Sequence, residues 1–283
     1  MRIGNKYIGR SKPVFIVAEA GLAHDGDLKK ALELIDVARK GGADAVKFQI
    51  YRTKEFIDQK RSPELYERFK KKELSFKAFS ELQQYAKGEG ILWFATPHTI
   101  SGLEHLRQMG VPLYKIGSGE KGSKLFGKIL DVGKPTFIST GMREQSEVLR
   151  MIDLYGGKKT AFLHCVTMYP VHPHLANLGF IKKLITACNW AGSLAGYSCH
   201  MTGTHGVEVA VAMGAKIIEK HIKLKDSKGQ DTLCALFGDE FKAMVKKIRH
   251  IETMIDEEDR VYGSLEKESE SWALKRKDGK RPL

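Results

Sequence analysis

Lys47 and Gln49 stand two residues apart in the apolar run 45–50, so an extended chain points both to one side. Further along, Lys115 and Ser118 lie in Tyr114-Lys115-Ile116-Gly117-Ser118-Gly119-Glu120, and Ser139 and Ser198 close two more apolar runs. Gathered together, Lys47, Lys115, Ser118, Ser139 and Ser198 make a cationic, donor-rich pocket for a phosphate or a carboxylate. Two glycines flank Ser118, so backbone amides can also approach an anion. His200 and His221 end two later runs and could share a divalent metal with carboxylates and water. Cys199 adjoins His200, but neighbours on a strand face opposite ways, so it is not counted as a ligand. Taken singly, each lysine has the alternative of a snorkelled or paired charge, and a lone histidine is more often structural than a ligand. Taken together, charges on so many consecutive strands are too costly to bury without a use.

These residues need a frame that brings them to one place. Eight strand-like runs lie at 14–18, 45–50, 92–96, 113–116, 136–139, 161–165, 194–198 and 216–219. Helical patterns separate most of them, at 28–40, 79–87, 102–109, 144–155, 205–213 and 241–255. The first has Asp27 as a capping residue and Gly41-Gly42 as a stop, and Gly88, Gly110, Gly156 and Gly214 follow others. Eight strand-then-helix units predict an α/β fold, a (β/α)8 TIM barrel, whose chemistry sits at the C-terminal ends of the strands. The runner-up, an open doubly wound sheet, lacks a G-x-G-x-x-G after its first strand. Residues 1–10 read as a hairpin that plugs one barrel end. The barrel is expected over 1–257, and 258–283 as a charged, mobile tail, the remnant of a linker.

Composition narrows the classes. The chain has 283 residues, 42% hydrophobic and 29% charged, enough for a large core and too apolar for wholesale disorder. No apolar run nears the ~18 residues of a membrane span, and the N-terminus lacks a secretory apolar region. Four scattered cysteines without a Cys-x-x-Cys pair suggest a reducing, cytoplasmic setting. The net charge of +13 admits anionic small molecules, nucleic acid or an acidic surface as partners. No nucleic-acid recognition motif is present, so neither nucleic acid nor membrane is the expected partner.

The stretches FIVAEAGLAHDGDLKKALELIDVARKGGADAVKFQ, LWFATP, YKIGSGE, STGM, HCVTMYP, GYSCHMTG, GAKIIEKHI and GQDTLCAL run in order along residues 15–236. In combination they resemble the catalytic barrel of the sialic acid synthase (N-acetylneuraminate synthase) family. The resemblance implies a metal-assisted condensation of phosphoenolpyruvate with an N-acylated amino sugar or related aldose. The products would be a 2-keto-3-deoxy sugar acid and phosphate. It implies His200 and His221 as ligands of a divalent metal, typically manganese, with magnesium or cobalt as alternatives. Lys47, Thr96, Lys115, Ser118, Ser139 and Ser198 would hold phosphoenolpyruvate. Glu120 would lie by the reacting carbons, while Glu19, Gln49, Tyr169 and Asp231 would touch the sugar, with Glu19 and Asp231 as further catalytic candidates.

Departures cluster around the sugar. The family's N-H-N-G is Ala23-His24-Asp25-Gly26 here, T-P-F-D is Thr96-Pro97-His98-Thr99, and Y-S-D-H is Tyr197-Ser198-Cys199-His200. Thr167, a substrate-binding candidate, stands where the family has Asn. These changes leave the sugar open. The resemblance also implies a homodimer and a C-terminal antifreeze-like lid. Here 266–283 resembles only the linker to it, so a barrel-only form, or a lid from a separate protein, is the expectation. Three other readings stand beside the synthase: a Schiff-base aldolase using Lys115 or Lys47, a non-catalytic or partner-dependent subunit, and, from charge alone, a nucleic-acid binder.

Overall fold

A computed structural model describes residues 1–255 and 263–281. The first unit covers Met1–Glu252. It opens with an antiparallel hairpin, β1 (Arg2–Ile3) and β2 (Lys6–Tyr7), turning at Gly4 with φ +58°. Eight further strands follow: β3 (Phe15–Gly21), β4 (Ala45–Ile50), β5 (Leu92–Pro97), β6 (Tyr114–Ile116), β7 (Thr136–Ser139), β8 (Thr160–His164), β9 (Leu194–Cys199) and β10 (Ile217–His221). They form one sheet in the order β5-β4-β3-β10-β9-β8-β7-β6, and every ladder is parallel. The two end strands, β5 and β6, lie side by side, which brings the sheet round into the expected barrel.

Alternation along each strand separates two cores. Ile16, Val46, Phe48 and Ile218 face outward and pack with helix residues such as Leu34 and Ile35. Phe15, Val17, Ala45, Phe94, Phe137 and Ile217 fill the barrel interior, with Ile3 and Ile8 from the hairpin closing that end. The plug expected from residues 1–10 is therefore present. Continuing two residues along the same inward faces gives Glu19, Lys47, Thr96, Ser139 and Glu219, so the interior turns from apolar to charged toward the strand C-termini.

Between β3 and β4 runs α1 (Leu28–Lys40), which buries Ala31, Leu34, Ile35 and Ala38. The Asp27 side chain accepts from the Lys29 amide at 2.7 Å, and Arg39 and Lys40 complement the dipole at the other end. Two helices between β4 and β5 escape the sequence pattern, α2 (Thr53–Phe56) and α3 (Pro63–Lys72). The second buries no side chain fully, so it carries no apolar stripe to read. They are followed by α4 (Phe76–Gly88), α5 (Ile100–Gln108), α6 (Lys124–Leu130), α7 (Gln145–Tyr155), α8 (Phe180–Trp190), α9 (His205–Ala212) and α10 (Gly238–Met254). Of these, α6 and α8 were also absent from the sequence pattern.

The second unit covers Thr253–Leu283. Its described part holds two short helices, α11 (Ser264–Glu268) and α12 (Glu270–Ala273). The boundary expected at 257/258 lies outside the described residues. Among the described residues no helix is long and apolar enough to cross a membrane, and the four cysteines are free and buried.

Candidate active site

The charged end of the barrel opens into a cavity of about 280 Å³. Its floor is an ion-pair network. Lys47 Nζ lies 2.7 Å from Glu19 Oε2, donates to Thr96 Oγ1 at 2.9 Å and stands 3.8 Å from Glu219 Oε1. The same Glu219 oxygen accepts from Lys115 Nζ and from Ser198 Oγ, each at 3.0 Å. Lys47, Lys115, Glu19 and Glu219 are all buried. Burial alone would push Glu219 upward, but Lys115 and Lys47 overcome it and hold the carboxyl down at about 2. Burial likewise works against the Lys47 ammonium, yet Glu19 and Glu219 more than offset it, and its pKa rises. Glu219 Oε2 is buried without a hydrogen-bond partner.

The sequence pattern gave Glu219, at the end of the eighth apolar run, no role. The signal was available, because Glu219 and His221 are two apart on β10 and share the inward face.

Beside the lysines the strand ends supply hydroxyls. Ser118 sits in a 3-10 turn after β6, accepts from the Gly141 amide at 3.1 Å and lies 3.2 Å from Cys165 Sγ. Arg143 braces this corner by donating to the carbonyls of Ser118 and Gly141 at 3.2 and 3.1 Å. A Cβ at Gly141 would fall 2.4 Å from Thr167 Oγ1 and 2.6 Å from Ser118 Oγ. Gly141→Ala is therefore expected to cost about 1–3 kcal/mol by overpacking, read as a lowered denaturant midpoint. An unchanged midpoint would show that this corner yields.

His200 Nδ1 lies 2.8 Å from the Val166 carbonyl. A carbonyl only accepts, so Nδ1 carries the proton and Nε2 keeps its lone pair. Burial, then the neighbouring His221, lowers the His200 pKa to about 3, so this imidazole is neutral. The His200 and His221 ring centroids are 5.6 Å apart, and the Tyr169 ring packs 4.2 Å from His200. Burial, then Asp231, raises the Tyr169 hydroxyl pKa. Gln49 Nε2 donates to Glu19 Oε1 at 3.3 Å. Among the described residues no three His, Cys, Asp or Glu side chains are gathered to hold a metal, so the two histidines form an open pair. Cys199 faces away from the cavity and lies 3.6 Å from Lys220 Nζ behind the strands, as alternation required.

Every candidate named from the sequence stands in the cavity wall except Glu120. Glu120 is buried at the end of the 3-10 turn, with Oε1 3.6 Å from His98 Nδ1. His98 does line the wall, stacked on Phe56 at 4.9 Å. Beyond them the mouth is built from residues that sequence reasoning did not name: Phe56 of α2, Arg68, Phe69 and Lys72 of α3, and Lys228, Gly229, Gln230 and Thr232 around Asp231.

Residues 34–260 match the NeuB family. The chain is 40% identical over 260 residues to an uncharacterized protein of Methanocaldococcus jannaschii, covering 90% of this chain and 76% of that one. It is 34% identical over 275 residues to the pseudaminic acid synthase of Campylobacter jejuni, covering 90% and 78%. Among solved structures, the N-acetylneuraminic acid (sialic acid) synthetase of Leptospira borgpetersenii superposes with a TM-score of 0.84 at 32% identity, covering 95% of this chain and 94% of that one.

Proposed function

From the premise that the chain belongs to the NeuB family, we propose that it condenses phosphoenolpyruvate with an N-acylated amino sugar or a related aldose, giving a sialic-acid-like 2-keto-3-deoxy acid and phosphate. The observation that carries this reading is the pairing of two buried lysines with an open histidine pair in one cavity. Lys47, Lys115 and the hydroxyls of Ser118, Ser139 and Ser198 bind and orient the phosphate and carboxylate of the enol phosphate. Glu219 keeps both ammonium groups charged and fixed before substrate arrives. Glu19, Gln49, Tyr169 and Asp231 face the acceptor, and Thr167 closes the wall between the two substrates. C3 of the enol phosphate attacks the open-chain aldehyde, water adds at C2, and phosphate leaves. Glu120 reaches the cavity only through His98, so its carboxylate serves by steadying that ring and any charge on it.

Two imidazoles on neighbouring strand ends, facing one cavity, suit a divalent metal such as manganese. Bound there by His200 and His221, the metal would polarise the aldehyde oxygen as a Lewis acid. The fit rests on the His200 tautomer, whose Nε2 lone pair is left free by the bond to Val166. Loss of an outer-shell partner typically weakens a metal about 10–100-fold, so loss of a direct ligand in His221→Ala is expected to weaken Mn2+ binding by more than about 100-fold. Calorimetric titration with Mn2+ reads this without turnover, and wild-type affinity in the variant would remove His221 from the ligand set.

The Schiff-base reading, on Lys115 or Lys47, is disfavoured because both ammonium groups are engaged by buried carboxylates, Lys115 by Glu219 and Lys47 by Glu19 and Glu219, whereas that chemistry needs a free amine. NMR of phosphoenolpyruvate and an N-acylated amino sugar, incubated with protein and Mn2+, tests the proposal. It should show a 2-keto-3-deoxy acid and one equivalent of phosphate. Intact phosphoenolpyruvate, or trapping of pyruvate on a lysine by borohydride, would overturn it.

A further inference from the structure

His98 is the third imidazole in the cavity wall, beside the pair assigned to a metal. It follows Thr96 by two residues, so it continues the inward face of β5. Its amide donates to the Ile50 carbonyl at 2.9 Å, which carries the ladder with β4 one residue past the strand. The ring is held from two sides. Phe56 of α2 stacks on it at 4.9 Å, with the planes 19° apart, and Phe56 is itself braced edge-on by Phe69 at 5.4 Å. At one edge of the ring, Nδ1 lies 3.6 Å from Glu120 Oε1, and that carboxylate is buried. The Glu120 amide donates to the Gly117 carbonyl at 3.2 Å, so the turn that carries the carboxylate closes back on the end of β6.

A buried carboxylate beside one ring nitrogen, with the other nitrogen free, is the arrangement of an oriented acid–base pair. Among the described residues Nε2 of His98 has no hydrogen-bond partner. The 3.6 Å contact is longer than a hydrogen bond, as catalytic contacts often are before substrate binds. The ring also stands at the enol phosphate end of the proposed site. A Cβ on Gly117 would fall 3.6 Å from His98 Cε1 and 3.7 Å from Thr96 Cγ2, and Ser118 follows Gly117 directly. The carboxylates of the floor are engaged, Glu19 with Lys47, and Glu219 with Lys115, Lys47 and Ser198.

Resting on the reading of the cavity as a phosphoenolpyruvate-dependent synthase, we propose that His98 is a catalytic residue that moves a proton at C2, with Glu120 as its positioning residue. As the oxygen of water bonds to C2, Nε2 takes one of its protons. The C2–O bond to phosphate then breaks, its electron pair leaves with the phosphate, and the imidazolium returns the proton to that oxygen. The second water proton leaves the C2 hydroxyl as the ketone forms and neutralises the alkoxide left at the former aldehyde. The ring ends the cycle as it began, and no proton is gained or lost overall.

The test uses phosphoenolpyruvate, Mn2+ and the amino sugar that the wild type turns over. His98→Gln is expected to lower kcat for phosphate release by about 10²–10⁴-fold, the usual worth of a positioned acid–base group. Its affinity for phosphoenolpyruvate, by calorimetry, should stay that of the wild type. Glu120→Gln should lower kcat by a smaller factor and leave the KM for phosphoenolpyruvate unchanged. In His98→Gly, added imidazole should restore part of the rate. Wild-type kcat in His98→Gln, or a loss that imidazole does not repair in His98→Gly, would make the ring a packing element and overturn the proposal. A second measurement needs neither turnover nor a variant. The His98 ring resonances, assigned through the backbone of the isotope-labelled protein, should move when phosphoenolpyruvate is added without metal. Unmoved resonances on saturation would place the ring away from the enol phosphate and overturn the proposal, whether or not the synthase is active. A wild type that releases no phosphate with any amino sugar, while those resonances do move, would count against the synthase and leave His98 at the enol phosphate.

Discussion

Glu219→Ala is expected to destabilise the barrel by about 3–5 kcal/mol, because removing one partner of a buried ion pair leaves uncompensated charge. Here two ammonium groups lose their common partner, at 3.0 Å from Lys115 and 3.8 Å from Lys47. Ser198 loses its acceptor in the same step. Chemical denaturation reads the effect, and a loss under about 1 kcal/mol would show that the lysines find other partners. The same group imprints a pH dependence. Its carboxyl is held at about 2 against an ordinary 4.5. The folded protein therefore refuses a proton that the unfolded chain takes up as pH falls below about 4.5. The stability from this group is complete above that point and drains away as pH drops toward about 2. In Glu219→Gln, that part of the pH–stability profile should flatten.

Lys115→Ala is the second large effect. It removes the donor that the proposed function assigns to the enol phosphate and leaves Glu219 dependent on the more distant Lys47. Phosphoenolpyruvate binding should weaken by about 2–5 kcal/mol, the usual cost of truncating one partner of a desolvated charge pair. Isothermal titration with phosphoenolpyruvate alone isolates this from turnover. Wild-type affinity would mean that Lys47 and the serines hold the substrate without it.

Much of this frame is legible in the sequence, for one physical reason: a parallel barrel strand alternates strictly, and its polar residues face inward only near its C-terminal end. Lys47 and Gln49, two apart in an otherwise apolar run, could share a face only by pointing into the barrel, and both do. The same rule separated His200 from Cys199. It does not extend beyond the strand. Glu120, whose role came from the resemblance alone, lies in a 3-10 turn where period-two reasoning does not apply, and its carboxylate lies 3.6 Å from His98. Helix α3 was invisible because it buries no residue fully, and with it went Arg68 and Phe69 at the mouth. The role of Glu219 was missed for a different reason. Its worth lies in the two lysines it joins, and a contact between β6 and β10 spans 104 residues of sequence.

The central claim is that one cavity brings phosphoenolpyruvate and a sugar together for carbon–carbon bond formation. Initial rates of inorganic phosphate release test it most directly, measured with phosphoenolpyruvate and Mn2+ in the presence and absence of neutral and charged amino sugars. The account predicts release that requires a sugar, stops on chelation and is lost in Lys115→Ala. Release that proceeds equally without sugar, or no release from any mixture although phosphoenolpyruvate binds, would contradict it.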